Sequence, residues 1–400
     1  MADSGAQRAA DLSDITAIEV AGTPAGAFAA GLLADFGARV IVCEPPGGSP
    51  LRRLGGPLVR RVWWPIAARN KLSLAIDPDH PEAAPVVDRL LDRARLLVRD
   101  PTSPAAWHAR AAARATPPLD LLLHAPGTDR PDLWPWSTDP ALAAAATGAV
   151  ALTGEGDGPA MQPEFPLAEC CAGLMAAAGA LIQLRAAGLS GDAPPPLAVG
   201  MHEALLRMNE WQLAVASITG KAEPRTGNRF PMNSNIGNVF RTRDGKLLTV
   251  SAATPSVADR LLTMIGGPAL RDDPRFRTTA DRQRNMDALD AVVAEWMARH
   301  DAAEAMRLVR ENDVVVGPLY DAADLLHDPH VAAREDIVWI DDGSGEALPQ
   351  PGVLPKIGTM NTAIRRAGPA IGTDDDAVLA DLGFAADEIA HLRRSGAVWK

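Results

Sequence analysis

The chain has 400 residues and a formal net charge of −11, with 39 Lys and Arg against 50 Asp and Glu. This length suggests about two domains, and the charge excludes nucleic acid as a general partner, because phosphate binding needs a broad basic surface. The cysteines, Cys43 and the adjacent Cys170 and Cys171, form neither a disulfide framework nor a zinc pattern, and the polar N-terminus lacks a signal-peptide core. We expect a cytoplasmic protein with no bound metal and no membrane attachment.

Predicted strands and helices alternate along the first 150 residues. The segment "ITAIEVAG" (15–22) is typical of a buried strand, the Gly-punctuated segment after it of a helix, and "RVIVCE" (39–44) of a second strand. Further strands are predicted at 72–77, 94–100 and 119–127. The pattern predicts a βαβ unit within an α/β domain that has a parallel sheet.

The pattern becomes helical from Pro163 to about Met208, broken by the Gly- and Pro-rich segment 188–200. Its apolar run is short and contains Gln183 and Arg185, so we interpret it as a core helix rather than a membrane span. After a loop-like segment, "VFRTRDGKLLTVSA" predicts a hairpin that turns at Asp244-Gly245.

Glycines punctuate the first strand–helix turn, and Glu44 follows about twenty residues later. In a dinucleotide site, the helix start holds the pyrophosphate and such an acid holds the ribose. The spacing of Gly22, Gly26 and Gly31 is not G-x-G-x-x-G, so close helix–sheet packing is an equally good interpretation.

The segment from Pro45 to Ile76 contains no acid and six basic residues, which are Arg52, Arg53, Arg60, Arg61, Arg69 and Lys71. Such segregation in an acidic chain favours an anionic ligand such as a phosphorylated cofactor. The alternative is a solvated loop.

Glu169 stands at the start of the apolar run "FPLAECCAGLMAAAGALIQL" (165–184), three residues after Pro166. Buried acids are avoided or used. Either the acid serves only the helix dipole, or it is catalytic. Cys170 and Cys171 are alternative nucleophiles, since a helix start favours a thiolate, but small buried cysteines are commoner.

Several blocks, in order, resemble CoA-transferase family III, the CaiB/BaiF family. They are "AGAFAAGLLADFGARVIVCEPPGGSPLR", "RNKLSLAIDPDHPEA", "ATGAVALTGEGDGPAMQPEFPLAECCAGLMAA", "HEALLRM", "RTGN", "VFRTRDGKLLTV", "DDPRF", "VVVGPLYDAADLLHDPHVAAR" and "DDDAVLADLGFAADEIAHLRRSGAV". The resemblance covers nearly the whole chain.

The resemblance implies an α/β fold with a Rossmann-like large domain, a smaller α+β domain and two chains interlocked as a dimer. We expect the first part of the large domain at 1–205, a linker at 206–228, the small domain at 229–325 and a return to the large domain at 326–400. A homodimer is expected, and a heteromer with a paralogous chain is the alternative.

The resemblance also implies chemistry on acyl-CoA and a carboxylic acid, through covalent intermediates on an active-site carboxylate. Glu169 takes the position of the family's catalytic aspartate in P-x-AD-x-x-AG, and it adds one methylene. Asp139 is the second candidate catalytic acid. The bases of the related α-methylacyl-CoA racemases would fall at Thr138 or Asp139 and at Thr254, and both are missing.

No tightly bound cofactor is implied, and CoA is a substrate. The resemblance assigns contacts with CoA to Thr23, Pro24 and Ala25, and to Ile76, Asp100 and Pro101. Arg52, Arg53 and Lys71 are hypothetical partners of its phosphates.

We therefore predict a CoA-transferase with Glu169 as nucleophile. The alternatives are a non-catalytic CoA-binding subunit of a heteromer, a family member with diverged acyl-CoA chemistry and, from another class, an NAD(P) oxidoreductase.

Overall fold

The computed structural model describes residues 12–125, 130, 132–134, 139, 142–229, 235–358 and 362–400. The chain divides into two compact units. The large unit contains Met1–Ala149, Gln162–Ala214 and His330–Lys400, and the small unit contains Val150–Met161 and Val215–Pro329. The boundaries differ from the expected ones, since residues 206–214 belong to the large unit and 150–161 to the small unit.

Six strands and the helices between them form most of the large unit. The strands are β1 (Thr16–Glu19), β2 (Arg39–Glu44), β3 (Leu72–Ala75), β4 (Leu96–Arg99), β5 (Leu119–His124) and β6 (Leu197–Gly200). The helices are α1 (Pro24–Asp35), α2 (Pro57–Ala67), α3 (Ala84–Arg93), α4 (Ala105–Ala112), α5 (Ala143–Ala146), α6 (Ala149–Leu152), α7 (Leu167–Ser190), α8 (Met201–Met208) and α9 (Glu210–Thr219), of which α6 and α9 cross into the small unit. Short 3₁₀ turns occupy Pro50–Arg53 and Pro81–Ala83.

The six strands form one parallel sheet in the order β3-β2-β1-β4-β5-β6. This order is that of the Rossmann fold, so the strand order reverses between β1 and β4. The predicted α/β fold class is confirmed. Strand β6 lies inside the Gly- and Pro-rich segment that the sequence pattern assigned to an interruption between helices.

Helices α1 and α7 pack closely through small residues. Ala25, Ala29 and Ala30 of α1 are buried, as are Ala172 and Ala176 among the small residues of α7. A Cβ at Gly173 would lie 2.8 Å from the carbonyl oxygen of Ala25, so only glycine permits this approach. Among the described residues, α7 is long and apolar enough to cross a bilayer, with hydropathy 1.6. One face of α7, which includes Ala172 and Ala176, packs inside the large unit, and 39% of the apolar window is buried.

The C-terminal part of the chain returns to the large unit and covers the β3 edge of the sheet. This part contains β10 (Ile337–Asp341), β11 (Ala347–Pro351), α16 (Asp375–Asp381) and α17 (Ala386–Ser395), with β10 and β11 paired as an antiparallel hairpin. The Asp374 carboxylate accepts the Ser73 N–H at 2.9 Å, and the Asp375 carboxylate accepts the Ala75 N–H at 2.9 Å. Side chains therefore satisfy the donors that an edge strand leaves unpaired.

The small unit contains an antiparallel sheet packed on helices. Strands β7 (Ile236–Arg241), β8 (Leu247–Ala252) and β9 (Val316–Pro318) pair in that order. Its remaining helices are α10 (Pro255–Arg271), α11 (Thr279–Arg284), α12 (Met286–Met297), α13 (Ala302–Glu311), α14 (Ala322–His327) and α15 (Pro329–Ala333), the last of which crosses into the large unit. The predicted hairpin is confirmed, with Gly245 at φ +82° in its turn.

Residues 150–161 join the small unit through Arg225. Its guanidinium donates to the carbonyl of Gly158 at 2.8 Å and to that of Glu155 at 3.2 Å. The loop closes on itself because the Met161 N–H donates to the Thr153 carbonyl at 3.0 Å. These bonds explain why a segment far from residue 225 in the sequence belongs to the small unit.

A buried ion pair lies under α1 in the large unit. The Lys71 ammonium is 0% exposed and lies 2.7 Å from the Glu19 carboxylate, and it also donates to the Ala27 carbonyl at 2.8 Å. Burial raises the pKa of the Glu19 carboxyl, and the Lys71 charge opposes that shift. A buried pair of this kind is costly to break, because the remaining charge stays without a partner.

We expect Lys71→Met to lower the free energy of unfolding by about 3–5 kcal/mol. The double variant Lys71→Met/Glu19→Gln should recover much of this loss, because it leaves no unpaired charge. Lys356→Met is the matched control, since Lys356 pairs with Asp336 at the surface and should cost at most about 1 kcal/mol. Urea unfolding measures all three, and equal losses at Lys71 and Lys356 would contradict the interpretation.

Candidate active site

Glu169 lies in the first turn of α7, at the edge of the sheet where the parallel strands end. Because α7 leads into the parallel strand β6, it runs opposite to the strands and begins at their carboxyl ends. In open α/β sheets, ligands bind at this edge. The helix start also favours negative charge near it.

The Glu169 side chain is half-buried and opens into a cavity of about 290 Å³. The cavity is lined by Ala144, Gln162, Pro163, Glu164, Phe165, Pro166, Leu167, Ala168 and Glu169. Burial raises the pKa of the Glu169 carboxyl, its own backbone N–H opposes this shift, and the negative charge of Asp139 raises the pKa further. A carboxylate with a raised pKa in a cavity is a candidate catalytic group.

The two candidate catalytic acids, Glu169 and Asp139, are close enough for their charges to interact. Asp139 is exposed, and its charge acts on the Glu169 carboxyl. Thr138, where the racemase comparison placed a base, lies outside the described residues. Thr254, where the second base of the racemases would fall, is the N-cap residue of α10, and its hydroxyl accepts the Val257 N–H.

The first turn of α1 is close to the start of α7. Gly173, one helical turn after Glu169, touches the Ala25 carbonyl. Thr23 is the N-cap of α1, is 9% exposed, and its hydroxyl has no hydrogen-bond partner among the described residues. Pro24 occupies the first position of the helix. A buried hydroxyl without a partner at a helix start is a feature that a bound polar group would satisfy.

The loop that follows β4 lies beside the loop that leads into α1, at the point where the strand order reverses between β1 and β4. The Asp100 carboxylate accepts the Gly22 N–H at 2.7 Å and both the N–H and the hydroxyl of Thr102, at 2.9 and 2.6 Å. Asp100 is 1% exposed and Pro101 beside it is exposed. The structure thus brings Thr23, Pro24, Ala25, Asp100 and Pro101 together, with Asp100 holding the loops in place.

The basic residues assigned to phosphates have different environments. Arg52 forms a double hydrogen bond with the Glu44 carboxylate, at 2.6 and 2.7 Å, and stacks on Trp64. Lys71 is completely buried in its pair with Glu19, so we withdraw it from the possible phosphate contacts. Of the three, only Arg53 has an exposed side chain, and it donates to the Gly47 carbonyl.

Ile76 is 1% exposed and pairs with Val398 in an isolated antiparallel bridge. Its side chain belongs to the core of the large unit, so any contact with a ligand there would have to come from neighbouring atoms.

The surroundings of Glu44 weigh against a dinucleotide site. Besides Arg52, the Glu44 carboxylate accepts the Ser73 hydroxyl at 2.6 Å and the Ser49 N–H at 3.0 Å, and it is 0% exposed. An acid that binds a ribose must present free acceptor positions to the ligand. Glu44 is instead a structural acid, which agrees with the non-matching glycine spacing.

The cysteines are poor nucleophiles. Burial, with the nearby Glu169 charge, raises the pKa of the Cys170 thiol to about 11, and burial also raises the pKa of Cys171. Cys43 is buried. The described residues contain no group of three or more His, Cys, Asp or Glu that could hold a metal ion.

Sequence reasoning missed the wall of the cavity and an aromatic cluster. Glu164 and Phe165 line the cavity, and their place directly before Glu169 in the sequence was the available signal. The ring centres of His124, at the end of β5, and His202, in the first turn of α8, lie 6.1 Å apart, and the Trp134 ring lies 5.2 Å from His202. Because these residues are far apart in the sequence, no local motif indicates that they come together.

The strand order and the half-buried acid at the carboxyl edge define a Rossmann-like α/β enzyme unit with a candidate carboxylate catalyst. The profile described as CoA-transferase family III matches residues 12–375. The chain belongs to CoA-transferase family III, a family of transferase enzymes, and the predicted family is confirmed.

Relatives and solved structures agree with this assignment. The chain is 30% identical over 390 residues to succinyl-CoA–D-citramalate CoA-transferase of Chloroflexus aurantiacus, covering 96% of each chain. It is 30% identical over 393 residues to the alpha subunit of succinyl-CoA–L-malate CoA-transferase of Chloroflexus aurantiacus, covering 96% of this chain and 91% of that one. A CaiB/BaiF family protein from Brucella suis superposes with a TM-score of 0.80 at 20% identity, covering 94% and 100% of the two chains.

We expect Cys170 to react with iodoacetamide at pH 8 about a hundredfold more slowly than a free cysteine, because a thiol with so high a pKa has little thiolate. Glu169→Gln should speed the reaction, because it removes a nearby negative charge. Peptide mapping in a Cys171→Ser background measures the rate. Fast alkylation of Cys170 in the unchanged site would reopen the cysteine alternative.

Proposed function

We propose that this protein moves CoA between an acyl-CoA thioester and a carboxylic acid, with Glu169 as the nucleophile. The observation that carries the proposal is the half-buried Glu169 carboxylate, which opens into a cavity at the carboxyl edge of the sheet. At the same edge, Asp100 accepts the N–H of Gly22, the residue before Thr23. The named relatives act on succinyl-CoA with citramalate or malate, which supports a transfer between carboxylic acids.

In the proposed first half-reaction, a Glu169 oxygen attacks the thioester carbonyl carbon. The carbon–sulfur bond breaks, giving a mixed anhydride and CoA thiolate. The thiolate then attacks the Glu169 carbonyl carbon, which releases the donor acid and leaves a glutamyl-CoA thioester. Covalent catalysis of this kind divides one difficult step into easier ones.

In the second half-reaction, the acceptor carboxylate attacks the glutamyl-CoA carbonyl carbon and releases CoA thiolate. The thiolate attacks the acceptor carbonyl of the new anhydride, which forms the product acyl-CoA and frees the Glu169 carboxylate. Each tetrahedral intermediate carries negative charge, which the start of α7 stabilises.

We place CoA at the carboxyl edge, with Thr23, Pro24 and Ala25 on one side and Asp100 and Pro101 on the other. The hydroxyl of Thr23 would gain a partner from the ligand. Arg53 is the proposed phosphate contact among the basic candidates, because its guanidinium is exposed. Arg52 contributes indirectly, by holding Glu44 and the loop after β2.

We propose a homodimer as the active assembly. The alternative is a non-catalytic subunit of a heteromer, and one relative is named as an alpha subunit. The retained acid and its cavity favour a catalytic chain.

Glu169→Gln should abolish transfer, because an amide cannot form the anhydride. Glu169→Asp should lower kcat on the order of a hundredfold, because its carboxylate lies one methylene short of the position used by the wild-type site. Incubation with an acyl-CoA and then hydroxylamine or borohydride, followed by mass spectrometry, should locate the modification on Glu169. Modification elsewhere, or none with a broad set of donors, contradicts the proposal. CoA binding without turnover favours the non-catalytic subunit.

The pH dependence of kcat/KM should report the ionisation of Glu169. Activity needs the carboxylate, so the rate falls as the pH drops through its raised pKa. Asp139→Asn removes one charge that raises this pKa, so the acid limb should move to lower pH. Steady-state rates between pH 4 and about 8 measure the shift. An unchanged limb, or a shift to higher pH, would show that Asp139 does not act on the nucleophile.

A further inference from the structure

The loop of residues 150–161 is closed at its base. The Met161 N–H donates to the Thr153 carbonyl at 3.0 Å, which joins the two sides of the loop. Gly154 has a φ of +119°, and a Cβ on it would lie 2.5 Å from the Pro159 carbonyl oxygen. Only glycine fits both this backbone conformation and this close approach. The loop is therefore a compact piece of backbone rather than a slack connection.

Arg225 fastens this loop to the rest of the small unit. Each nitrogen of its guanidinium donates to a different carbonyl of the loop, at 2.8 Å for Gly158, 3.2 Å for Glu155 and 3.5 Å for Ala151. A guanidinium presents its N–H donors in a rigid, planar fork, whereas the ammonium of a lysine is a compact point charge. Arginine is thus suited to hold carbonyls that lie in different directions.

The chain approaches and leaves this loop through the lining of the Glu169 cavity. Gln162 follows Met161 directly and is the first of the consecutive residues 162–169 that line the cavity. On the other side of the loop, Ala144 in α5 lines the same cavity shortly before the loop begins. Because the chain is continuous, a fastened loop restrains the cavity lining on both sides.

We infer that Arg225 is a positioning residue of the transfer reaction, which fastens the loop 150–161 and thereby keeps the segment 162–168 in place around the Glu169 carboxylate and water out of the cavity. The inference rests on the proposed function and extends it to a side chain outside the cavity lining. Arg225 acts through the loop and not on the reacting atoms.

Water is the reagent that this arrangement must exclude. If water attacks the glutamyl-CoA carbonyl carbon, the carbon–sulfur bond breaks and gives CoA thiol and the free Glu169 carboxyl group without transfer. Closed sites prevent hydrolysis of reactive intermediates, and a small misplacement of a reacting group slows the chemical step. A loosened wall should therefore lower transfer and raise hydrolysis.

The test follows isotope exchange between an acyl-CoA and its own labelled acid, together with hydrolysis of the acyl-CoA, in the full chain. Acetyl-CoA with acetate, butyryl-CoA with butyrate and succinyl-CoA with succinate are the probe pairs. We expect Arg225→Met to lower the rate of isotope exchange about tenfold or more. The ratio of hydrolysis to isotope exchange should rise by about tenfold. Arg225→Lys, which keeps the charge without the fork, should give intermediate values.

Arg260→Met is the matched control. The Arg260 guanidinium also bonds to backbone in the small unit, where it donates to the Asp313 carbonyl at 2.8 and 3.2 Å. This variant should keep the rate and the ratio of the unchanged protein. Equal changes in both variants, or a wild-type ratio in Arg225→Met, overturn the inference. If Arg225→Met does not fold, Arg225→Lys takes its place, and a wild-type ratio there has the same meaning.

Two further readouts separate positioning from a general loss of structure. Burial is the first cause of the raised pKa of Glu169, so water admitted to the cavity should lower that pKa. The acid limb of kcat/KM should then move to lower pH in Arg225→Met. Deuterium uptake by the peptide 150–168 should become about tenfold faster in this variant and stay unchanged in Arg260→Met. Slower transfer with an unchanged ratio, acid limb and uptake overturns the positioning role.

The two proposals fail differently. If only the role of Arg225 is wrong, the unchanged protein forms the Glu169 adduct and Arg225→Met transfers CoA with the wild-type ratio. If no adduct forms on Glu169 with any donor, the proposed function fails, and the role of Arg225 in transfer fails with it.

Discussion

The close contact between α1 and α7 determines where the candidate site can form. Gly173 lets the backbone of α7 touch the Ala25 carbonyl, and alanines on both helices keep the contact narrow. A larger side chain at this crossing would separate the helices and move Glu169 away from the start of α1. The Ala-rich composition of α7 is thus a requirement of packing, and the position of the acid follows from it.

The acidic side chains of the large unit differ in whether the fold supplies them with partners. Glu19, Glu44 and Asp100 are all buried, and each is satisfied by a lysine, an arginine, a hydroxyl or backbone N–H groups. Glu169 differs from these acids because no cation among the described residues pairs with its carboxylate. An acid left without a counter-ion keeps its basicity, which is what a carboxylate nucleophile needs.

Local patterns in the sequence were sufficient to predict much of the large unit. The alternation of apolar runs predicted β1, α1 and β2, and the position of Glu169 at a helix start followed from the apolar run after it. Strand β6 was missed because it has only four residues and follows a Pro-rich segment. Short strands in a parallel sheet depend on neighbours that are distant in the chain.

The partners of charged side chains were not predictable in the same way. The basic segment after β2 suggested phosphate binding, but in the folded unit Lys71 forms an ion pair with Glu19 and Arg52 forms one with Glu44. A sequence displays each charge, whereas its partner depends on tertiary structure. The effect of Asp139 on Glu169 has the same origin, since these two acids, 30 residues apart in the sequence, come near each other only through the fold.

The β3 edge has a consequence for biosynthesis. Its backbone donors are satisfied by Asp374 and Asp375, and the Trp399 N–H donates to the Ala75 carbonyl. These residues are synthesised well after all six strands of the parallel sheet, so the nascent large unit carries an open sheet edge until they emerge. Open edges of this kind pair readily with other chains. A polypeptide that stops before this segment is therefore a candidate for chaperone capture and aggregation, even though Glu169, the cavity beside it and all six strands of the parallel sheet have already been made.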